Sequence, residues 1–181
     1  MPRIQPVKAD STDTRTAETL TSVQTKLGML PNLFTTLAQS PAALNSYLYL
    51  TEAVTTGRLT SKQRELIAIA VAQENKCEYC LSAHAAIGKG LGLNAEAIKH
   101  ARAGTAALAL DNEIVVFAIK VVRTRGGVSD ADIAAIRKAG GDDSFIIEIA
   151  MNVVLNILTN YVNRLADTDV DFPVVSLASV A

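Results

Sequence analysis

Tryptophan is absent from this 181-residue chain, and phenylalanine and tyrosine number only four each, a shortage that disfavours sheet architectures built on aromatic and β-branched strands. An excess of charge of one sign is also lacking. Seventeen Lys and Arg stand against eighteen Asp and Glu, and a net charge of −1 gives no sequence-independent attraction to phosphate backbones or anionic bilayers. A nucleic-acid scaffold and a peripheral membrane helix are therefore set aside in favour of a small-molecule or protein partner. No uninterrupted apolar run approaches 20 residues, and the opening Met1-Pro2-Arg3-Ile4-Gln5-Pro6 lacks the apolar stretch of a signal peptide, so the expected location is cytoplasmic. Cysteine is scarce as well: two residues cannot build a disulfide-rich secreted framework, and a chain this long needs none. In a reducing compartment a close cysteine pair is more often catalytic, redox-sensing or metal-binding than structural.

What is present favours helix. Twenty-eight alanines, with Leu, Ile, Glu, Lys and Gln filling much of the remainder, predict an all-α fold. Residues 1–15, polar and containing Pro2, Pro6 and Asp10-Ser11-Thr12-Asp13, read as an N-terminal arm ordered only where it docks. Residues 16–168 read as one helical domain with a redox core at about 60–104, and 169–181 as an extended tail that packs on the body. A first helix is predicted from Thr14 to Leu27, ended by Gly28. Ser40-Pro41 places an N-cap and a first-turn proline, and Thr60 with Gln63 forms a capping box opening a helix from Ser61 to about Asn75. Further helices are read from Cys77 to Lys89, from the Asn94 cap to Gly104, from Leu110 to Arg125, and from the Ser129 cap to Lys138. Short glycine-containing joints imply antiparallel helix pairs.

A long apolar helix follows, from Asp142-Asp143 to about Leu165. Ile146, Ile149, Val153, Ile157 and Leu158 follow a 3.6-residue stripe, with Asn152, Asn156, Asn160 and Asn163 on the other side, where they are expected to be solvated or lightly hydrogen-bonded and without chemistry. Such a helix is central to the domain or buried in a subunit contact.

The chemistry concentrates between residues 64 and 84. Cys77 and Cys80 are three apart and share one face of a helix, about 5–6 Å apart at Cβ. His84 lies one turn past Cys80, where its imidazole can take the thiol proton or stabilise the thiolate. Cys80 is thus the thiol beside a base, and Cys77 is placed to attack an oxidised Cys80 and close the disulfide. A carboxylate that fixes the histidine tautomer is best supplied by Glu65 on the preceding helix, since Glu74 and Glu78 flank a helix start where acidic residues serve the dipole.

Glu65, Cys77, Cys80 and His84 in this spacing resemble the Glu…Cys-x-x-Cys-x-x-x-His pattern of the alkylhydroperoxidase D and carboxymuconolactone decarboxylase superfamily. Leu30-Pro31-Asn32-Leu33-Phe34, Ser40-Pro41, Arg64-Glu65-Leu66-Ile67 and Ala83-His84 resemble its peroxidase-related members, and residues 161–168 with Asp171-Phe172-Pro173 resemble C-terminal stretches of some of them. The resemblance implies an all-helical fold, a homo-oligomer (trimer or hexamer), a hydroperoxide substrate, and a dithiol reductant such as a lipoylated or thioredoxin-like protein. It implies no cofactor and no metal. It assigns Cys80 as the peroxide-reacting thiol, Cys77 as its resolving partner, and Glu65 with His84 as a proton relay. Tyr79 stands where the family's peroxidase often has another histidine, which removes one member of that relay. Members named for lactone decarboxylation typically lack the paired cysteines.

Other readings of the same residues are a decarboxylase-like lactone enzyme, a non-catalytic redox-sensing assembly protein, two buried core thiols, and a zinc site of Cys77, Cys80, His84 and Glu65. The zinc reading is disfavoured because both thiols read as helical, whereas a Cys-x-x-Cys knuckle needs a turn. His100 reads as a surface histidine complementing a helix dipole, and Tyr79 as a packing or capping aromatic.

Overall fold

Side-chain caps open seven of the nine helices in the computed structural model, which describes residues 1–8 and 13–177 and contains no strand among them. In order these are α1 (Thr14–Leu27), α2 (Asn32–Leu37), α3 (Pro41–Thr55), α4 (Ser61–Glu74), α5 (Glu78–Gly90), α6 (Ala95–Arg102), α7 (Ala109–Thr124), α8 (Asp130–Lys138) and α9 (Asp143–Ala166). Ser40, Asn94 and Ser129 each accept a backbone N–H of the first turn, as their positions predict. The capping box at α4 is complete: Gln63 N–H donates to Thr60 Oγ1 at 3.2 Å, and Thr60 N–H donates to Gln63 Oε1 at 3.0 Å. Gly28 ends α1 with φ of 75°, a left-handed conformation that costs glycine nothing.

The centre of the fold is α4. Every residue from Leu66 to Ala72 is buried, so this helix is enclosed on all sides and not amphipathic. Its Leu66, Ile69 and Ala70 join one core with Leu20, Leu44, Leu81 and Val115, while Ile67 and Val71 join a second with Ile114, Ile136, Ile149 and Val153. Burial in both cores fixes α4 against α5 on one side and against α7 and α9 on others, which anchors the residues that α4 and α5 present to one another.

The long helix α9 buries Ile146, Ile149 and Val153 of its predicted apolar stripe, and it turns its asparagine side inward as well. Asn152, Asn156, Thr159, Asn160 and Asn163 face inward and are buried, whereas Ile147, Met151, Val154, Tyr161 and Leu165 are exposed. Burial of the polar side is affordable because its groups find partners close by: Asn152 Nδ2 donates to Glu148 O and Asn156 Nδ2 to Asn152 O, each at 2.8 Å, and Thr159 Oγ1 to Asn156 O at 3.0 Å. The asparagines expected in water therefore belong to the interior. By length and mean hydropathy (1.6 over its most apolar window) α9 is sufficient to cross a membrane, but it packs on α3, α4 and α7 with 44% of that window buried.

Both chain ends dock on this body. Arg3 and Ile4 donate their N–H groups to Ala166 O, and Val7 N–H donates to Thr35 O at 2.9 Å. Of the predicted arm, residues 9–12, including Asp10-Ser11-Thr12, lie outside the described residues. Beyond α9 the tail runs without helix or strand, tied by Asn32 N–H to Asp171 Oδ2 at 2.7 Å and by Val175 N–H to Ser82 Oγ at 2.9 Å. Its last four residues, 178–181, are likewise outside the described set.

Candidate functional site

Between α4 and α5 the chain reverses over Asn75 and Lys76, with Lys76 in the left-handed region at φ 55°. A non-glycine residue is strained there, and the strain is the means by which so short a joint brings α5 back along α4. The reversal delivers Cys77 as the N-cap of α5, with φ −100° and ψ 96°. Cys77 is thus extended and not helical, a correction to the expected start of this helix. Cysteine is not among the usual capping residues, but its Sγ takes the capping role and accepts the Cys80 N–H at 3.3 Å. The objection to a zinc knuckle loses its premise at Cys77. Even so, among the described residues no three His, Cys, Asp or Glu side chains converge as a metal-holding group.

The same packing brings Glu65 of α4 to His84 of α5, with Oε2 2.9 Å from Nδ1 and the side chains 13% and 23% exposed. Glu74 instead pairs with Arg123, and Glu78 is exposed. Burial disfavours the imidazolium, but the Glu65 carboxylate outweighs it and raises the His84 pKa above its ordinary value. A carboxylate on Nδ1 leaves Nε2 as the nitrogen available to other partners.

The thiols are both reduced and buried, Cys77 at 1% and Cys80 at 2% exposed. Burial pushes Cys80 up, yet hydrogen bonding from Cys77 and Asn163, the His84 charge and Asn160 together bring it below the ordinary thiol value. Cys77 moves the other way: donating its proton to Cys80 raises it first, then burial and the adjacent negative sulfur. A helix N-terminus by itself favours an anion at the cap. Two buried sulfurs side by side cannot both ionise, and His84 and Asn163 select Cys80.

Asn163 was not foreseen as part of this group. Its Nδ2 donates to Cys80 Sγ at 3.3 Å from α9, 83 residues away in sequence. Asn160, one turn earlier, accepts from Asn75 Nδ2 at 2.9 Å. The regular spacing of 152, 156, 160 and 163 was the available signal, since four asparagines on one face of an otherwise apolar helix form a stripe with a direction.

A cavity of about 710 Å³ opens beside Glu65 and His84. Phe34, Tyr47, Ile87 and Phe172 give it apolar walls, Asn156 and Thr159 a polar floor, and Glu65 and His84 also line it. Tyr79 closes one side. Its hydroxyl accepts the Leu33 N–H at 3.1 Å, its ring meets Phe172 edge-on at 5.8 Å, and burial holds its phenol well above the usual range. Tyr79 is therefore a packing tie between α5, α2 and the tail. His100 lies at the surface with Glu96 and Thr105, away from the thiols.

The Carboxymuconolactone decarboxylase family profile matches residues 41–124, which include all four predicted site residues. No curated protein matches the chain. Among solved structures, an uncharacterized peroxidase-related protein with an alkylhydroperoxidase D core from Ralstonia eutropha JMP134 is 25% identical, with a TM-score of 0.86 over 94% of this chain and 92% of that one. A second uncharacterized peroxidase-related protein, from Silicibacter sp. TM1040, is 26% identical with a TM-score of 0.83 over 93% and 91%. A debrominase in complex with 2,3,4-tribromopyrrole shares the fold at 16% identity, with a TM-score of 0.78 over 93% and 91%.

Proposed function

We propose that the chain, matched by the family profile over residues 41–124 and similar in fold to two peroxidase-related proteins, is a cytoplasmic thiol oxidoreductase of the alkylhydroperoxidase D and carboxymuconolactone decarboxylase superfamily that reduces hydroperoxides through a Cys77–Cys80 dithiol/disulfide cycle. The observation that carries this reading is the selection of Cys80: a buried thiol held below its ordinary pKa, one helical turn from a histidine that is itself paired to Glu65 at 2.9 Å.

The Cys80 thiolate attacks the distal oxygen of ROOH, the O–O bond breaks, and the alkoxide takes a proton from the His84 imidazolium to leave as ROH. Cys80 is now sulfenic acid. The Cys77 sulfur displaces its hydroxyl, closing the disulfide and releasing water. An external dithiol, a lipoylated or thioredoxin-like protein, returns the pair to two thiols while its own sulfurs are oxidised to a disulfide. The apolar walls suit an organic hydroperoxide lying with its carbon body on Phe34, Tyr47 and Phe172 and its O–O group toward His84. Residues 16–168 act as the catalytic domain.

A homo-oligomer, trimer or hexamer, is part of this reading. Ile147, Met151, Val154, Leu158, Tyr161 and Leu165 repeat at alternating steps of four and three along α9, the spacing of a helix seam, and all but the half-buried Leu158 are exposed.

The test is stopped-flow consumption of hydrogen peroxide and an organic hydroperoxide by the reduced protein. Cys80→Ser is expected to abolish turnover, and Cys77→Ser to support one oxidation that accumulates sulfenate. Full steady-state turnover in both variants with the same reductant would rule out the cycle. Activity that survives thiol alkylation would favour lactone or decarboxylase chemistry, and a disulfide formed without rapid peroxide loss would favour a redox sensor.

A further inference from the structure

We propose that the side-chain amides of Asn160 and Asn163 on α9 form a donor pocket around the Cys80 sulfur, and that Asn75, at the end of α4, sets the orientation of Asn160 within it. The inference rests on Cys80 being the reacting thiol. Asn163 touches the reacting atom directly, through Nδ2 at 3.3 Å, and is a catalytic residue in that sense, whereas Asn75 acts through Asn160 and is a positioning residue.

Three observations converge. Asn160 is completely buried, and its Nδ2 has no hydrogen-bond partner among the described residues. An orphaned buried amide is expensive and is retained where it serves a charge that forms during function. Asn160 Oδ1 is occupied by Asn75 Nδ2 at 2.9 Å, which fixes the amide plane and leaves the NH₂ end as the free one. Asn163 Nδ2 reaches the Cys80 sulfur at 3.3 Å from this face of α9, which sets the Asn160 amide on the sulfur side as well, and the Cys80 pKa falls through both amides. One turn separates the two residues, so their amides approach the same point from one helix face.

The arrangement suits a sulfur that changes state. A lysine in this place would supply a full charge and hold the thiolate too firmly, whereas an amide offers a donor and an acceptor on one group. Asn163 Oδ1 is also buried and without a partner among the described residues. As Cys80 passes from thiolate to sulfenic acid, Nδ2 serves the anion and Oδ1 accepts the new S–O–H hydrogen. Both forms of Cys80 are then satisfied without a rotation of α9. The joint that presents Cys77 also begins at Asn75, so the same two-residue reversal positions the resolving thiol and tunes the attacking one.

The measurement is the pH profile of Cys80 alkylation by iodoacetamide in a Cys77→Ser background, with thiolate ultraviolet absorbance as a second readout. Removing the donor in Asn163→Leu should raise the midpoint by about one unit, roughly tenfold less thiolate at pH values below both midpoints, equivalent to about 1.4 kcal/mol. Asn75→Ala should raise it by less. Asn75→Asp should raise it by more than Asn75→Ala, because an acceptor at this position draws the Asn160 NH₂ toward itself and turns its carbonyl to the sulfur. The added charge alone also raises the midpoint, so both variants are repeated in an Asn160→Leu background, where a shift transmitted through Asn160 disappears and one due to charge or structure persists. Should Asn163→Leu fail to fold, the comparison of the two Asn75 variants decides alone, since that side chain is only half-buried at a helix end. Midpoints equal to the parent in the folded variants would overturn the proposal. Shifted midpoints in a protein that consumes no peroxide would uphold the donor pocket and sink the peroxidase reading, and unshifted midpoints with intact peroxidase activity would do the reverse.

Discussion

Replacing Glu65 by glutamine removes one negative charge and almost no volume from the site. In the parent, Glu65 Oε2 lies 2.9 Å from His84 Nδ1, and neither side chain is more than a quarter exposed, so solvent screens the pair weakly. Hydrogen bonds to charged groups contribute about 1.5–3 kcal/mol, and one pKa unit corresponds to about 1.36 kcal/mol. Glutamine can still accept from Nδ1, so the loss falls toward the lower end and the His84 midpoint should drop by about one unit. Burial is then opposed only by the remaining hydrogen bond and the Cys80 charge, and the midpoint falls from its raised position. The assay is clean because the chain has only two histidines: nuclear magnetic resonance titration follows both, and His100, 43% exposed and away from Glu65, serves as the internal reference. The sign for stability follows from the direction of the shift. A histidine raised on folding contributes stability that is fully present below its unfolded pKa and is lost as the pH rises through the folded value. The stability gap between parent and Glu65→Gln should therefore be widest on the acid side of neutrality and should narrow as the medium becomes alkaline. An unmoved His84 midpoint, or an equal movement of His100, would refute the assignment of Glu65 as the group that charges His84.

Ile149, wholly buried in the second core, should cost 2–5 kcal/mol when cut to alanine, as read by denaturant unfolding, whereas Ile147, 63% exposed, should change subunit stability by no more than about 0.5 kcal/mol. Glutamates placed together at Ile147 and Val154 should lower the sedimenting mass; a double variant that sediments like the parent would remove the outer stripe of α9 from the subunit contact. Lys76→Val should destabilise the protein by more than about 1 kcal/mol, since a β-branched residue tolerates a positive φ less well than lysine, and thermal unfolding reads the difference. Lys76→Gly, which relieves the strain, should retain parental stability more nearly.

Much of this architecture was legible because its determinants are local. Ser40, Thr60, Asn94 and Ser129 announce helix starts through a hydroxyl or amide a few residues from the N–H it satisfies. Cys80 and His84 share a face by spacing alone, and Glu65 meets His84 because a three-residue joint forces α4 and α5 side by side. Asn160 and Asn163 escaped the same reasoning because hydropathy assigns asparagine to water, and only a sulfur 83 residues away gives one of them its reason to be inside. The position of Cys77 escaped it for another cause: thiols rarely cap helices, so nothing in its identity marked the boundary. The apolar side of α9 was expected to lie in the domain centre or in a subunit contact; Ile146, Ile149 and Val153 do fill the second core, while Ile147, Met151, Val154, Tyr161 and Leu165 face outward.

Asp171, Phe172 and Pro173 wall the cavity, yet they follow the last helix and contribute no atom to the sulfur chemistry. The segment is held by a few bonds, among them Asn32 to Asp171 and Val175 to Ser82. One wall of the cavity is thus written on a different length of polypeptide from Glu65, Cys77, Cys80 and His84, and on the proposed reading substitutions there would alter the shape offered to a substrate while leaving those four side chains in place.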